Sequence, residues 1–299
     1  MLCLENDSVK AKILPGDGGR LLSLVDKSDK TNGREYIWTN HRTKKLTRTH
    51  GANYDNLSAG GIEEAFPTGY PDAFEGDELP FFGEIWPIAW EYSPSKKPGG
   101  GWLLWTYCSI YPVKVSKEWY FDEGALVCEY RLTNLSGKRF PYLFGVHPSL
   151  NICPGDTLEL PQGMYSTGTM YPSHLIPEKE FAWPLAGARD LGVAPGADSC
   201  EFVQVYTPKT EKGQIVLHTD ENRSLHIDYD AAYFKSLSVW MIYGGWRGHR
   251  CLMCEFFTGW PLKLSEAHAR GECAYLEPRG NAETAVKYGL KYFGKGIYP

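Results

Sequence analysis

The sequence contains no long apolar run and no surplus of basic residues. No stretch approaches the roughly 18 consecutive apolar residues of a membrane-spanning helix. The first residues, MLCLENDSVKAKILPG, lack the basic region and apolar core of a signal peptide. The formal net charge is −5 over 299 residues, which speaks against a nucleic-acid or anionic-membrane surface. We therefore expect neither a nucleic acid nor a membrane as a partner.

Metal and phosphate motifs are also missing. No group of His, Cys and Asp has the spacing of metal ligands, and GGWRG lacks the strand–turn–helix context of a phosphate loop or a nucleophile elbow. CLMC at 251–254 is formally C-x-x-C, but no second pair follows it at zinc-site spacing. In a strand its two cysteines would point to opposite faces. The sequence therefore predicts no metal and no cofactor.

Cysteine usage indicates the compartment. The eight cysteines are scattered, and several lie inside strand-like runs such as ALVCEYRL. Buried free thiols in a reducing environment explain this distribution better than a disulfide framework does. We therefore expect a cytoplasmic protein.

One basic segment stands out, HRTKKLTRTH at 41–50. The first interpretation of this segment is a loop exposed to solvent. The alternative is a binding site for a sugar phosphate.

Hydrophobic alternation with a period of two runs through most of the chain. In VKAKILP, LVCEYRLTN and SLHIDYD, apolar residues alternate with polar ones, as in half-buried antiparallel strands. Turn sequences such as PGDGG, KKPGGG and NLSG separate these segments. Only KLSEAHARGE at 263–272 has a pattern suited to a short helix. The pattern predicts an all-β protein, one large antiparallel β-sandwich domain spanning residues 1–299.

Two ionisable residues lie in apolar strand segments. His147 follows PYLFG and precedes a proline, which favours an extended conformation for it. Glu255 lies in RCLMCEFF, on the strand face shared with Met253 and Phe257. An isolated buried carboxylate is costly, so Glu255 is expected to be paired, exposed in a cleft, or functional. A structural ion pair remains the alternative.

Aromatic residues are abundant, with 10 Trp, 19 Tyr and 13 Phe. Most are expected to pack in the core. Clusters such as FFGEIWPIAWEY and SVWMIYGGWRGHR combine rings with polar groups. Sugar sites have this composition, since the apolar faces of a pyranose stack on rings while its hydroxyls need directional hydrogen bonds.

Five segments, in order along most of the chain, resemble motifs of the aldose 1-epimerase (galactose mutarotase-like) superfamily. They are ILPGDGGRLLSLVDK, SAGGIEEAFPTGYP, LPFFGEIWPIAWEY, FGVHPSLNI and CEFFTGWPLKLSEAHARGECAYLEPRGNAET. The corresponding family patterns are GGR-I-SL, GG-x-E-x-FP, HGE-x-W…W, a histidine–proline stretch, and EP-TG-P…L-PGE. The family fold is a large β-sandwich, in agreement with the alternating segments.

The resemblance implies an enzyme that interconverts the anomers of an aldose, with His147 as general acid and Glu255 as general base. It assigns Arg20 to a hydroxyl or a charged substituent of the sugar. Weaker candidates for hydroxyl binding and ring stacking are Glu84, Trp86 and Trp240. Acid–base catalysis of this kind needs no metal or redox cofactor, and a small sugar is the expected partner. The oligomeric state and the identity of the sugar stay open.

The chain departs from the family pattern at Phe82, where the family commonly has a histidine. Phenylalanine offers an apolar face instead of a hydrogen bond, so Phe82 would alter the choice of sugar. It also motivates a second hypothesis, a carbohydrate-binding protein that has kept the pocket without the chemistry. A third is a sugar lyase or hydrolase on a similar sandwich.

Overall fold

A computed structural model describes residues 1–28, 33–42, 49–54, 59–168, 176, 179–220 and 222–292. Six residues of the basic segment, 43–48, lie outside the described residues. The described chain is dominated by antiparallel β-structure arranged in two large sheets.

The longer sheet, called here the long sheet, has 11 strands. In spatial order its path is β1-β2-β3-β5-β13-β23-β22-β19-β15-β16, and β4 pairs with β3. The bounds are β1 Leu2–Glu5, β2 Val9–Leu14, β3 Arg20–Asp26, β4 Arg34–Glu35, β5 Ile62–Ala65, β13 Gly145–Leu150, β15 Met164–Thr167, β16 Glu180–Ala182, β19 Glu201–Thr207, β22 Ser236–Tyr243 and β23 Arg250–Phe257.

The second sheet, called here the short sheet, has eight strands in the order β14-β20-β21-β25-β11-β10-β9-β8. Their bounds are β8 Glu91–Pro94, β9 Trp102–Tyr107, β10 Val113–Asp122, β11 Ala125–Asn134, β14 Thr157–Glu159, β20 Gln214–Asp220, β21 Arg223–Tyr229 and β25 Asn281–Tyr292.

Smaller elements connect and flank the two sheets. Three two-stranded ribbons pair β6 (Asp72–Phe74) with β7 (Asp77–Leu79), β12 (Phe140–Tyr142) with β24 (Ala274–Leu276), and β17 (Leu185–Ala186) with β18 (Arg189–Asp190). Helix α1 spans Leu264–Arg270 and ends at Gly271, whose φ of 71° is left-handed. The short helix predicted over 263–272 is therefore confirmed.

The two large sheets pack face to face. The rings of Tyr229 on β21 and Phe256 on β23 stack with centroids 4.3 Å apart, which joins the short sheet to the long one. A buried ion pair between Lys117 on β10 and Glu64 on β5 also bridges the sheets, and the Tyr130 hydroxyl donates to Glu64. The prediction of a large antiparallel β-sandwich is confirmed.

Alternation along the strands follows from this packing. On β2 the buried residues are Val9, Ala11 and Ile13, and the intervening lysines are more exposed. On β23 Phe256 faces the core between the sheets, so its neighbour Glu255 faces away from it. We call this other side of the long sheet the cleft face.

Candidate active site

His147 and Glu255 meet on the cleft face. The pairing of β13 with β23 sets Val146 against Phe256 and Ser149 against Met253. This register brings His147 opposite Glu255, and His147 Nε2 lies 3.2 Å from Glu255 Oε1. Both side chains are almost fully buried. Glu255 Oε2 is buried without a hydrogen-bond partner among the described residues, so the hydrogen-bonding capacity of one carboxylate oxygen is unused.

Tyr54 and Glu63 hold the other nitrogen of the histidine ring. The Tyr54 hydroxyl donates to Glu63 Oε1 at 2.6 Å and lies 3.3 Å from His147 Nδ1. Glu63 Oε1 is 3.8 Å from the same nitrogen. Glu63 reaches this position because β5 pairs with β13, with Glu63 opposite His147 in the register.

The direction of these hydrogen bonds assigns the histidine tautomer. Since the Tyr54 hydroxyl gives its proton to Glu63, its oxygen accepts from a proton on Nδ1 of His147. Nε2 faces Glu255, so it is the ring nitrogen that can share a proton with the carboxylate. Contact at 3.2 Å is favourable when one proton lies between the two groups. The pair is arranged to hold one exchangeable proton at the wall of a cavity.

Arg20 lies behind this arrangement rather than at the cavity. Its side chain is fully buried, and Nη1 forms an ion pair with Glu63 Oε2 at 2.9 Å. The guanidinium also donates to the backbone oxygens of Asp17 and Gly60. Strand β3 places its guanidinium beneath the site, where Glu63 and backbone oxygens are its partners, and this geometry gives no support to the predicted contact of Arg20 with sugar.

The cavity is built mainly from aromatic side chains. It encloses about 600 Å³ of space free of protein atoms, including solvent at its mouth. Besides His147 and Glu255 its walls comprise Trp38, Asn40, Tyr54, Tyr70, Phe81, Phe82, Trp240, Ile242, Trp246, His249 and Met253. Predicted residues Trp240 and Phe82 therefore lie at the cavity.

Phe82 packs directly on the histidine. Its ring centroid is 5.1 Å from that of His147 and 4.5 Å from that of Tyr54. The backbone of Phe82 is left-handed, with φ of 56°, which is uncommon for a bulky residue. These contacts set the apolar face of Phe82 against His147 and Tyr54.

Glu84 and Trp86 have structural contacts instead of the predicted sugar contacts. Both Glu84 carboxylate oxygens accept backbone N–H groups of residues 109–111, at 2.5–3.2 Å. Trp86 is buried, donates through Nε1 to the carbonyl of Phe81 and packs edge-on against Tyr54. Neither side chain lines the cavity. Glu84 holds a loop and Trp86 supports the wall, and this geometry gives no support to their predicted contacts with sugar.

Positive charge gathers beside His249 on the cavity wall. Burial lowers the pKa of His249, and the nearby charges of Arg42 and Arg247 lower it further. Arg42 donates to the backbone carbonyl of Arg247, whose guanidinium lies 4.8 Å from the Trp246 ring centre. His249 is therefore neutral near pH 7, and its ring contributes a polar but uncharged edge to the wall.

Sequence reasoning missed Tyr54, Glu63, Trp38 and Trp246. A signal for Glu63 was present, because Glu63 and Glu64 are adjacent carboxylates within the apolar segment GGIEEAFP. Adjacent strand residues face opposite sides, so each needed its own cationic partner. Tyr54 has no comparable signal, since it lies outside the strands, between β4 and β5.

Within the described ranges, no group of three or more His, Cys, Asp or Glu side chains is arranged to hold a metal ion. All eight cysteines are free thiols, and Cys251 and Cys254 are buried. Among the described residues, no helix has the length and apolar character needed to span a membrane.

A comparison with protein families matches only the first part of the chain. Residues 1–74 match the family model described as Domain of unknown function (DUF5107). The matched segment includes Arg20, Tyr54 and Glu63 but ends before His147 and Glu255. No curated protein matches the sequence significantly.

Solved structures match nearly the whole chain. A structural-genomics target from Synechocystis sp. PCC 6803 has a TM-score of 0.74 at 17% identity, covering 98% of this chain and 96% of the other. A galactose mutarotase-like protein from Lactobacillus casei has a TM-score of 0.67 at 18% identity, with 97% and 99% coverage.

A third match is a TPR-domain containing protein from Parabacteroides distasonis, with a TM-score of 0.69 at 16% identity. The match covers 99% of this chain but 48% of the other, so this chain spans about half of that protein's length. At these identities the likeness concerns the fold: the chain has the galactose mutarotase-like β-sandwich fold that the sequence predicted.

Proposed function

We propose that this protein is an aldose 1-epimerase-like mutarotase, an isomerase that interconverts the anomers of a sugar with His147 and Glu255 as acid and base. The observation that carries the proposal is their contact of 3.2 Å at an aromatic cavity, with Glu255 Oε2 left without a hydrogen-bond partner among the described residues. An unpaired buried oxygen costs free energy, and a sugar hydroxyl would satisfy it.

The chemistry follows from the proton that the pair holds. Glu255 removes the proton of the anomeric hydroxyl while His147 Nε2 donates a proton to the ring oxygen, and the bond between C1 and the ring oxygen breaks. The resulting aldehyde rotates about its bond to C2. Ring closure on the other face reverses both transfers, so no proton is gained or lost. Each group can contribute roughly 10²–10⁴-fold to the rate.

Close contact between acid and base suits this reaction. The anomeric oxygen and the ring oxygen are bonded to the same carbon, so the groups that serve them must themselves be neighbours. A bound sugar would exchange the direct contact of His147 and Glu255 for one hydrogen bond from each. The proton on Nδ1 stays with Tyr54 and Glu63, which orients Nε2 toward the substrate.

The cavity walls support a sugar as the ligand. Trp240 and Trp246 offer ring faces for the apolar side of a pyranose, while Asn40 and His249 offer polar groups at the wall.

Exchange spectroscopy by NMR tests the proposal directly. We expect the protein to accelerate exchange between α and β anomers of at least one aldose in a panel of hexoses, pentoses and deoxy sugars. Glu255→Gln should abolish the acceleration, and Glu159→Gln, on the exposed surface, should not. Absence of acceleration with every sugar of the panel would reject the enzymatic function.

A non-catalytic carbohydrate-binding protein is the second candidate, and Phe82 favours it. In the family pattern a histidine at this position could hydrogen-bond the sugar, whereas Phe82 only packs on His147. Calorimetric binding of a sugar without acceleration of anomer exchange would support this alternative.

The free thiols support a reducing compartment. Cys3, Cys153 and Cys200 are exposed, and none of the eight cysteines forms a disulfide. We propose the cytoplasm as the site of action.

A further inference from the structure

Two surface depressions continue the candidate cavity along the cleft face. The first encloses about 590 Å³ of space free of protein atoms, solvent included, and shares Tyr70 with the cavity. The second shares Tyr206 and Trp260 with the first. The three spaces therefore lie next to one another, bordered by shared side chains, and we call them together the groove.

Strand register explains why these spaces are neighbours. Ser238 on β22 lies opposite Glu255 on one side and opposite Tyr206 on the other. Trp240 lies opposite Gln204, one alternation further along the same strands. Since residues two apart share a strand face, Glu255, Ser238, Gln204 and Tyr206 lie on one surface crossing three adjacent strands.

Aromatic rings separate the two depressions. The rings of Tyr206 and Trp260 stack with centroids 4.6 Å apart and an interplanar angle of 17°. Because the pair borders a depression on each side, it gives an apolar platform beside polar groups. Sugars stack their C–H faces on platforms of this kind.

Polar groups along the groove match uncharged hydroxyls better than a charged ligand. Gln204 lines the first depression, and its buried Oε1 has no hydrogen-bond partner among the described residues. The charged side chains of the two depressions are three cationic and four anionic, namely Lys209, Lys263, Arg270, Glu180, Glu211, Glu266 and Glu272. Such mixed charge disfavours a strongly anionic or cationic chain.

We propose that the groove binds the further sugar units of a neutral oligosaccharide whose reducing end occupies the cavity. This inference rests on the proposed function and specifies its substrate class. Only the reducing-end unit has a free anomeric hydroxyl, so that unit must lie at His147 and Glu255. The next unit then extends past Tyr70 to the platform of Tyr206 and Trp260.

The test compares monosaccharides with their reducing oligosaccharides. Anomer exchange is measured for glucose and galactose and for maltose, cellobiose, maltotriose and lactose. We expect at least one oligosaccharide to have a kcat/KM about tenfold above that of the sugar at its reducing end, the gain expected from one stacked ring. Equal kcat/KM values across each series would overturn the proposal.

Substitutions in the groove test where the preference for oligosaccharides arises. Trp260→Ala should remove the oligosaccharide advantage and leave the monosaccharide rate unchanged, with Trp260→Phe intermediate. Trp105→Ala is the matched control, because Trp105 is a partly exposed tryptophan on β9 of the short sheet. If Trp260→Ala and Tyr206→Ala are both folded by circular dichroism and still have a higher kcat/KM for the oligosaccharide than for the monosaccharide, the groove proposal is also wrong.

Binding separates this inference from the proposed chemistry. If no sugar shows accelerated exchange, calorimetric titration with the same oligosaccharides still tests whether the groove binds them. If oligosaccharides bind and their affinity falls about tenfold in Trp260→Ala, the groove proposal is supported although the mutarotase proposal is rejected. Exchange of monosaccharides without any oligosaccharide preference or binding would leave the function and reject the groove.

Discussion

Arg20 contacts the candidate site through Glu63. The two side chains form an ion pair of 2.9 Å, both fully buried, and the other oxygen of Glu63 accepts the hydroxyl of Tyr54 beside His147. The arginine therefore neutralises the carboxylate that orients the histidine.

This relationship predicts that Arg20→Leu acts on stability. The substitution leaves Glu63 as an unpaired buried charge, which costs about 3–5 kcal/mol of the free energy of unfolding. Urea denaturation followed by tryptophan fluorescence measures that loss. Should Arg20→Leu leave stability unchanged and raise only KM for sugar, the guanidinium would bind substrate after all.

Tyr54→Phe should alter the tautomer of His147. Without the hydroxyl at 3.3 Å, Nδ1 loses the acceptor that keeps its proton. We expect the anomer exchange rate to fall by about 10²-fold, the lower end of a general acid's contribution. The ¹⁵N shifts of the His147 ring nitrogens report the tautomer.

Tyr142→Phe is the control for the loss of a tyrosine hydroxyl. Tyr142 is buried and hydrogen-bonds Tyr233, away from the cavity. Its exchange rate and His147 shifts should match those of the unsubstituted protein. Unaltered ¹⁵N shifts in Tyr54→Phe would contradict an orienting role for Tyr54.

His147→Asn and Glu255→Gln should each reduce anomer exchange by at least about 10²-fold. Asparagine and glutamine keep polar groups in place, so the fold should survive, as thermal denaturation can check. His218→Asn, at the surface beside Glu159, is the control. Full activity in both cavity variants would make the pair a structural contact.

Phe82→His should change sugar preference. Histidine tolerates the left-handed φ of 56° better than phenylalanine does, and it adds a hydrogen-bonding nitrogen beside His147. A hydroxyl facing Phe82 lacks a partner, at a cost of about 1–3 kcal/mol.

The unsubstituted protein should therefore favour a sugar that is apolar at that position, such as a deoxy sugar. Phe82→His should shift relative kcat/KM, or affinity if chemistry is absent, by roughly 10–100-fold toward hydroxylated hexoses. An unchanged ratio would place Phe82 outside the sugar site.

The stability of the protein should decrease on acidification because of His226. Burial lowers its pKa in the folded state, while the unfolded chain takes up a proton near the ordinary value of about 6.5. The unfolded state then binds more protons as the pH falls below that value, so the free energy of unfolding declines.

Urea titrations above and below this pH should show the decline, and it should be smaller in His226→Gln. Glutamine does not titrate and can keep a hydrogen bond to Ser224, the neighbour of His226 in the structure. The same pH dependence in both proteins would assign the effect to other groups.

The sequence by itself determined the strands and their faces. Alternation in segments such as that of Val9, Ala11 and Ile13 predicts which residues are buried, because side chains in a strand point to opposite faces in turn. The same local rule identified Glu255 as a carboxylate among apolar neighbours.

Only the tertiary structure decided which polar residues meet. His147 and Glu63 are 84 positions apart and become neighbours through the pairing of β5 with β13. Arg20 and Glu84 lie in family-like motifs, yet Arg20 lies beneath the cavity and Glu84 holds a loop. Strand order and loop position depend on packing between distant segments, and local periodicity carries no information about them.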